Sequence, residues 1–180
     1  MSAPLSESNS AGTAREIRHA GIRLLIGRHP RRTLRRALGL AIACVGLFGG
    51  ILRPVRVNGL SMEPTVRHGT LRFVLLPSYT FSHPKRGDVV VIRMGGRRVM
   101  YLKRILATAG DRIAFESGEL RINGEPSPEP YVVHAGEWTM PELRVPEGEV
   151  FVAGDNRSEP MEQHAAGRVR LNRIAGEMWP

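Results

Sequence analysis

The hydrophobic and polar positions divide the chain into two regions that meet near residue 55. Before this point, sixteen residues from Ala37 to Leu52 carry no charge, and arginines bound the run on both sides. After it, short apolar runs alternate with Gly and Pro, a pattern typical of β-strands and turns. The second region shows neither a helical period nor an internal repeat, so we expect a β structure there.

Six segments of the second region are predicted to be strands, because apolar and β-branched residues dominate them. They are Leu71–Leu76, Asp88–Arg93, Val99–Ala107, Arg112–Ser117, Leu120–Ile122 and Val150–Ala153. Asn123-Gly124, directly after the fifth segment, is a hairpin-turn signal. The fold class predicted for residues 55–180 is therefore mainly β.

The uncharged run predicts a membrane anchor. At about 1.5 Å per residue it is roughly 24 Å long as a helix, against about 30 Å of hydrocarbon. Flanking arginines that reach toward water, and local thinning of the bilayer, make up the difference. A buried core helix and a cleaved signal peptide are the alternatives, but no Ala-x-Ala site follows the run. We predict one N-terminal transmembrane helix at residues 37–54.

The net charge of +9 is unevenly distributed along the chain. Residues 1–36 hold eight arginines and two glutamates, a net charge of +6. The positive-inside rule predicts that this basic arm is cytoplasmic and that residues 55–180 form an extracytoplasmic domain. Because little of the charge belongs to that domain, nucleic acid is not an expected partner. The single cysteine, Cys44, excludes an internal disulfide and a cysteine-based zinc site.

Lysine is rare in this chain, which draws attention to Lys103. Of the 26 basic residues, 24 are arginine, and Lys85 is the only other lysine. Alternation in the predicted strand puts Lys103 on one face with Val99, Tyr101 and Ile105. Burial there lowers the pKa of an ammonium group, and a neutral lysine can act as a general base. The alternative is an edge-strand lysine whose ammonium reaches water.

Ser61 is the candidate nucleophile, in the segment Gly59-Leu60-Ser61-Met62-Glu63-Pro64-Thr65. A serine in a loop is more often a simple turn residue, and its hydroxyl needs a base to become nucleophilic. The histidines available for a Ser-His-Asp triad lie in no triad motif, and the chain has no G-x-S-x-G elbow. They are His68, His83, His134 and His164. A Ser-Lys dyad needs one partner only, and Lys103 is the candidate.

Four segments in this order resemble the boxes of the type I signal peptidase family. They are Val57–Thr65, Lys85–Val90, Tyr101–Ile105 with Gly110-Asp111, and Val145–Gly148 through Phe151–Arg157. The resemblance extends from about Val55 to the C-terminus and includes Gly167–Val169 and Ile174–Gly176. The predicted anchor upstream is also typical of this family.

The resemblance implies a serine endopeptidase that removes signal peptides from exported precursors. Ser61 would attack the scissile carbonyl, Lys103 would take its proton, and the Ser61 N–H would help bind the oxyanion. Gly59 stands where some members have a hydroxyl, so main-chain donors would form the oxyanion hole. The remaining positions that match substrate-pocket or substrate-flanking residues are Val57, Met62, Tyr101 and Leu102.

The resemblance also implies the substrate geometry, the fold and the setting. The precursor would add as an extended strand between the segment before Ser61 and the segment with Lys103, with Ala-like residues first and third before the cut. The fold would be antiparallel sheets in a coiled, partly barrel-like arrangement. The enzyme would be a single-pass protein of the inner or plasma membrane, without metal or cofactor. Its partners would be precursors, the bilayer and the secretion translocon.

The last box departs from the family pattern. Pro160 stands at the position of a serine that orients the lysine, and His164 stands where the family has arginine. Glu162 and Gln163 also replace an Asp-Ser pair. Ser158 is the candidate substitute orienter. The other supporting residues that the resemblance implies are Arg104, Asp155 and Asn156, with Arg104 pairing with Asp155 or Glu162.

Three alternative functions stay open at the level of sequence. A LexA-like autoprotease uses the same dyad, but the chain shows no helix-turn-helix and carries an anchor. A peptidase that processes conjugation pilin is a closer alternative. A catalytically silent scaffold that binds exported peptides by strand addition is the third, suggested by the altered last box.

Overall fold

A computed structural model describes residues 30–76, 78–79, 82–93 and 100–179. The chain divides into two compact units, residues 1–46 and 47–180. In the first unit, helix α1 spans Pro30–Gly46, and proline at its first position suits the fixed backbone geometry of that residue. Most of the predicted basic arm, residues 1–29, lies outside the described residues.

The helical stretch Pro30–Ile51 is long and apolar enough to cross a membrane, and none of its residues is buried in the protein. It combines α1 with a π-helical turn, Leu47–Ile51, and at about 1.5 Å per residue it measures roughly 33 Å. The helix therefore begins well before the predicted boundary at residue 37. It also ends earlier than residue 54, because Leu52 already pairs with Leu75 in a sheet.

The second unit is built from two antiparallel sheets. Within the described residues, its strands are β1 (Leu52–Arg56), β2 (Leu71–Leu75), β3 (Val89–Arg93), β4 (Met100–Ala107), β5 (Arg112–Glu116), β6 (Glu119–Ile122), β7 (Glu125–Pro126), β8 (Met140–Arg144), β9 (Glu149–Ala153), β10 (Gly167–Arg170) and β11 (Ile174–Trp179). The larger sheet has the order β1-β2-β11-β3-β4-β9-β10, and the smaller sheet the order β7-β6-β5-β8. The predicted mainly β class is confirmed.

All six predicted strands are present, with small shifts of their ends, and Val99 lies outside the described residues. Asn123 and Gly124 both have positive φ, 57° and 88°, and form the predicted turn between β6 and β7. The prediction missed β1, β7, β8, β10 and β11. Prolines, glycines or alternating arginines interrupt these strands, so their apolar runs are too short to be recognised.

The main hydrophobic core lies between the two sheets. Leu106 of β4 and Phe151 of β9 pack there with Ile113 and Phe115 of β5 and with Trp138. A second cluster joins β3, β4 and β9 through Val90, Ile92, Ile105, Val150 and Val152. The C-terminal half of β4 is therefore fixed by packing on both faces.

The two edges of β4 are used differently. β3 pairs with Met100–Arg104 along one edge, whereas β9 pairs with the other edge only from Arg104 to Ala107. Over the described part of the chain, the edge of Met100–Lys103 that faces away from β3 has no strand partner.

Candidate active site

Lys103 lies in β4 opposite Val90, with a side chain that is 2% exposed. Its Nζ donates a hydrogen bond of 2.7 Å to the carbonyl oxygen of His164. Burial lowers the pKa of Lys103 from 10.5 to about 8, against an opposing contribution from Glu159. The alternative of a lysine that reaches water is wrong, because the ammonium group is enclosed by the protein.

Ser61 lies in a loop that follows β1 and returns to β2. The loop is closed by hydrogen bonds from the Val57 N–H to Thr70 and from the Gly69 N–H to Val57, of 2.9 and 2.8 Å. Ser61 is half-buried, and its carbonyl oxygen accepts a hydrogen bond of 3.1 Å from the Asn156 N–H. The segment after β9 therefore holds the main chain of the candidate nucleophile.

Gly154 is the residue that connects Ser61 with the surroundings of Lys103. A Cβ added to Gly154 would lie 2.1 Å from the Ser61 carbonyl oxygen and 2.5 Å from Nε2 of His164. Only glycine permits so close an approach of main chains. The Gly154 N–H donates a hydrogen bond of 2.9 Å to that Nε2, while the His164 carbonyl accepts from Lys103. Gly154 and His164 thus connect the main chain of Ser61 with the ammonium group of Lys103.

Arg104 and Asp155 form a buried ion pair behind this cluster. The Arg104 guanidinium donates two hydrogen bonds, of 2.8 and 2.7 Å, to the fully buried carboxylate of Asp155. Thr65 donates a third, of 2.5 Å, from the loop that contains Ser61. The predicted pairing of Arg104 with Asp155 is present, and through Thr65 it fixes the Ser61 loop against β4 and the segment after β9.

Arg157 and Glu129 form a second buried ion pair, with nitrogen and oxygen 2.6 Å apart. The Nε of Arg157 also donates a hydrogen bond of 2.6 Å to the Gly154 carbonyl, and its guanidinium lies 4.9 Å from the centre of the Trp138 ring. Both main-chain polar groups of Gly154 are therefore bonded. Arg157 ends the last of the family-like segments, but sequence reasoning gave it no role, and it did not select Glu129.

Ser158 does not orient Lys103. Its hydroxyl donates a hydrogen bond of 2.7 Å to Oδ1 of Asn156, and its N–H bonds the same atom. In the described parts of the chain, the acceptor for the Lys103 ammonium is the His164 carbonyl. The His164 carbonyl thus takes the place of the serine side chain that the resemblance leads us to expect, at the position of Pro160, as the group that orients Lys103. Asn156 itself donates from Nδ2 to the Leu60 carbonyl, at 3.3 Å.

His164, at the position where the family pattern has arginine, is buried, and no acidic residue in the described parts of the chain forms an ion pair with it. Its ring packs edge-on against Trp138, with ring centres 4.8 Å apart. Burial, followed by the charges of Lys103 and Arg157, lowers the pKa of His164 to about 4. The imidazole is therefore neutral at ordinary pH and serves as the acceptor for the Gly154 N–H.

The residues predicted to contact substrate fall into two groups. Val57, Tyr101 and Leu102 line a cavity of about 80 Å³, together with residues of β1, β2, β3 and β11. Met62 is 2% exposed and packs in a core cluster with Val66 and Val89, so its side chain is not among those that line the cavity. The Gly59 N–H already donates to Nδ1 of His68, at 3.0 Å, and is thus not a free main-chain donor.

This arrangement suits nucleophilic catalysis by a serine with a lysine as the base. It combines a half-buried serine, a desolvated amine with a lowered pKa and a strand edge that is open among the described residues. Among the described residues, no group of three or more His, Cys, Asp or Glu side chains is arranged to hold a metal ion.

Comparisons with known proteins place the chain in a family. Residues 31–179 match the protein family described as "Signal peptidase, peptidase S26". "Signal peptidase I" of Bacillus caldolyticus is 34% identical over 142 residues, which cover 69% of this chain and 78% of that protein. "Signal peptidase I" of Bacillus licheniformis is 32% identical over 155 residues, which cover 78% and 82%. A solved signal peptidase I from Enterococcus faecalis V583 aligns with a TM-score of 0.44 and 24% identity, over 53% of this chain and 97% of that structure.

Proposed function

The chain belongs to the signal peptidase family, peptidase S26, whose members are serine endopeptidases, and we propose that it cleaves signal peptides from exported precursors with Ser61 as nucleophile and Lys103 as general base. The observation that carries this assignment of residues is the environment of Lys103. Its amine is buried, has a lowered pKa and is bonded to His164, which also bonds the glycine in contact with Ser61.

The proposed reaction begins with transfer of the Ser61 hydroxyl proton to the neutral Nζ of Lys103. The Ser61 oxygen forms a bond to the scissile carbonyl carbon, and the Ser61 N–H stabilises the oxyanion. The C–N bond then breaks as Lys103 returns the proton to the leaving amine. Water, deprotonated in turn by Lys103, hydrolyses the ester on Ser61, and both residues regain their starting state.

The substrate would bind as an extended strand along the open edge of β4. Met100–Lys103 have no strand partner on that side among the described residues, and Val57 lines the same cavity as Tyr101 and Leu102. Main-chain pairing of this kind holds precursors of varied sequence in one register. The scissile bond is thereby directed to Ser61, and specificity is left to the pockets beneath the strand.

The helical stretch Pro30–Ile51 supports membrane anchoring of the enzyme. The arginines before this stretch and in its first two turns would orient the N-terminus toward the cytoplasm and residues 55–180 outward. Cleavage sites of exported precursors emerge beside the outer bilayer face, where tethering raises the local concentration of the enzyme. The bilayer and the secretion translocon are then its expected neighbours.

The test is cleavage of a precursor by the purified full-length chain in detergent. The wild-type protein is expected to cut after an Ala-x-Ala sequence. Ser61→Ala removes the nucleophile, and Lys103→Arg keeps the positive charge but replaces the base with a group that stays protonated. Each variant is expected to lose at least about a thousandfold in kcat/KM, since the two groups act as one unit.

Lys85→Arg is the matched control for Lys103→Arg, because it is the same substitution at the other lysine of the chain. It is expected to keep wild-type kcat/KM. Full activity of the Ser61→Ala or Lys103→Arg protein refutes the dyad. Binding of precursor without any cleavage by the wild-type protein supports a peptide-binding scaffold instead.

A further inference from the structure

Arg157 carries a permanent positive charge in the interior of the protein. Its side chain is 3% exposed, and a guanidinium stays protonated at any ordinary pH. Removing such a charge from water is costly, and a buried ion pair adds little net stability over apolar side chains of similar size. The burial of Arg157 therefore indicates a role other than stability.

Two sets of contacts connect Arg157 with the proposed base. In the first, its Nε donates a hydrogen bond to the Gly154 carbonyl, and the Gly154 N–H donates to His164. The His164 carbonyl in turn accepts from Lys103. In the second, the rings of Trp138 and His164 pack edge-on, and the Arg157 guanidinium lies 4.9 Å from the centre of the Trp138 ring. The guanidinium and the Lys103 ammonium thus belong to one connected set of buried groups.

Three cationic side chains of this set share two carboxylates. Arg104 bonds to Asp155, and Arg157 bonds to Glu129 through two hydrogen bonds, of 3.2 and 2.6 Å. Over the described residues, Lys103 forms no ion pair with a carboxylate, and its acceptor is a neutral main-chain carbonyl. An ammonium group without a carboxylate partner loses its proton more easily than one that has such a partner.

The segment between β7 and β8 fixes Arg157 in place. Glu129 belongs to this segment, has a side chain that is 9% exposed, and accepts a hydrogen bond of 2.8 Å from the Tyr131 hydroxyl. The Tyr131 ring itself lies against the Arg104 guanidinium, 4.0 Å from its centre. The main-chain N–H of Arg157 donates to the His134 carbonyl, at 2.8 Å. Both the main chain and the side chain of Arg157 are therefore held by this segment.

The groups around Lys103 change its pKa in opposite directions. Burial, the largest cause, lowers the pKa, while Glu159 raises it, Arg157 lowers it and Asp155 raises it. Glu159 is exposed, so water and salt weaken its effect, whereas Arg157 is enclosed. His164 is neutral at ordinary pH and adds no charge. Of the described groups that act on Lys103, Arg157 is thus the charged one that favours a neutral amine.

We propose that Arg157, held by Glu129, is a positioning residue of the dyad, whose buried charge shifts the Lys103 amine toward the neutral form that accepts the Ser61 proton. This proposal rests on the proposed function, because it concerns the base of that reaction. When the Ser61 proton moves to Nζ, Lys103 becomes positive and is repelled by Arg157. The same repulsion favours the later transfer of this proton from Nζ to the leaving amine.

The test is the pH dependence of precursor cleavage by the purified full-length chain. Arg157→Gln removes the charge, so the midpoint of the kcat/KM profile should rise by about one pH unit. At pH 7 this variant should lose about tenfold more activity than at pH 10, where the amine is neutral in both proteins. Arg157→Lys keeps a positive charge opposite Glu129 and should keep the wild-type midpoint, even with a lower maximal rate.

Glu129→Gln tests the same charge from the other side of the ion pair. It leaves the Arg157 guanidinium without its carboxylate, so the positive charge acts more strongly on Lys103. The midpoint should therefore fall below that of the wild-type protein. Where Arg157→Gln does not fold, this variant decides the question, and an unchanged or raised midpoint refutes the proposal.

Arg112→Gln is the matched control for Arg157→Gln, because it is the same substitution at an exposed ion pair. Arg112 lies 3.4 Å from Glu142, and the two side chains are 55% and 47% exposed. Water screens this pair, so the wild-type midpoint is expected. A purely structural role of Arg157 predicts that Arg157→Gln lowers kcat/KM equally at every pH. That result, with an unchanged midpoint, contradicts the proposal.

A titration of Lys103 by NMR, with ¹³C at lysine Cε, separates this proposal from the proposed function. The Lys103 signal should titrate about one pH unit higher in Arg157→Gln than in the wild-type protein. Equal midpoints in the two folded proteins, with cleavage that still requires Ser61, overturn the role of Arg157 and leave the proposed function intact. Absence of cleavage by the wild-type protein overturns the proposed function, and the role of Arg157 in it.

Discussion

The side chain of Lys103 is buried, and one main-chain carbonyl accepts a hydrogen bond from its ammonium group. The candidate itself was predictable, since lysine is rare in this chain and strand alternation puts residue 103 on an apolar face. The hydrogen-bond acceptor of Lys103 was not predictable, because it is a main-chain carbonyl and every residue type has one. For the same reason the role of His164 escaped prediction. Its neutral imidazole accepts the hydrogen bond of the Gly154 main-chain N–H.

Gly154→Ala tests how tightly the site is assembled. The new methyl group would overlap the Ser61 carbonyl oxygen and the His164 ring, so one of them must move. A displacement of about 1 Å near reacting groups can lower the rate a hundredfold. We expect kcat/KM for precursor cleavage to fall by at least that factor, measured with the purified variant in detergent.

Gly39→Ala provides the comparison for this substitution. Gly39 lies in α1 and has no atom within 4 Å of an added Cβ, so the same chemical change is harmless there. Activity is expected to stay at the wild-type level. Wild-type activity in Gly154→Ala would show that the close contact with Ser61 has no part in catalysis.

Among the elements, β4 links the chemistry to the fold. Its C-terminal half is packed on both faces and pairs with β9, whereas its first half pairs with β3 and, among the described residues, is open on the other edge. Apolar, β-branched strands such as β3 and β9 were predictable from their residues. β11 was not, although it pairs with both β2 and β3, because Gly176 approaches the Leu75 main chain and interrupts the apolar pattern.

The segment after β9 is the other decisive element. In this segment Gly154 bonds to His164, and Asp155 bonds to Arg104. Arg157, two residues further on, bonds to Glu129. Each partner comes from a different part of the chain. The resemblance of this segment to a family box predicts that it is functional. Its hydrogen-bond partners cannot be predicted in this way, because they depend on the tertiary packing of the two sheets.

For the whole molecule, the mainly β class of the second unit and the presence of an apolar N-terminal helix were both evident from the hydropathy pattern. The predicted end of the helix was less accurate. Leu52, the last residue of the apolar run, and Arg53, the arginine that bounds the run, both lie in β1. The proposed orientation in the membrane is inferred only from the distribution of arginine along the chain. A direct test is therefore needed.

The orientation predicts which end of the chain a protease reaches. In intact spheroplasts that carry the full chain with a tag at each end, added protease should remove the C-terminal tag and leave the N-terminal tag intact. After lysis both tags should be lost. Survival of the C-terminal tag in intact spheroplasts, with loss only on lysis, would reverse the proposed topology.

The central claim is that the Lys103 amine loses its proton in the pH range where the enzyme works. With a pKa of about 8, roughly one molecule in ten has the neutral amine at pH 7, and cleavage should rise about tenfold per unit below pH 8 and level off above it. The direct measurement is an NMR titration of protein with ¹³C at lysine Cε, in which the chain gives two lysine signals and Lys103→Arg identifies one. We predict a midpoint near 8 for that signal; a midpoint at the ordinary value of 10.5 would contradict the account.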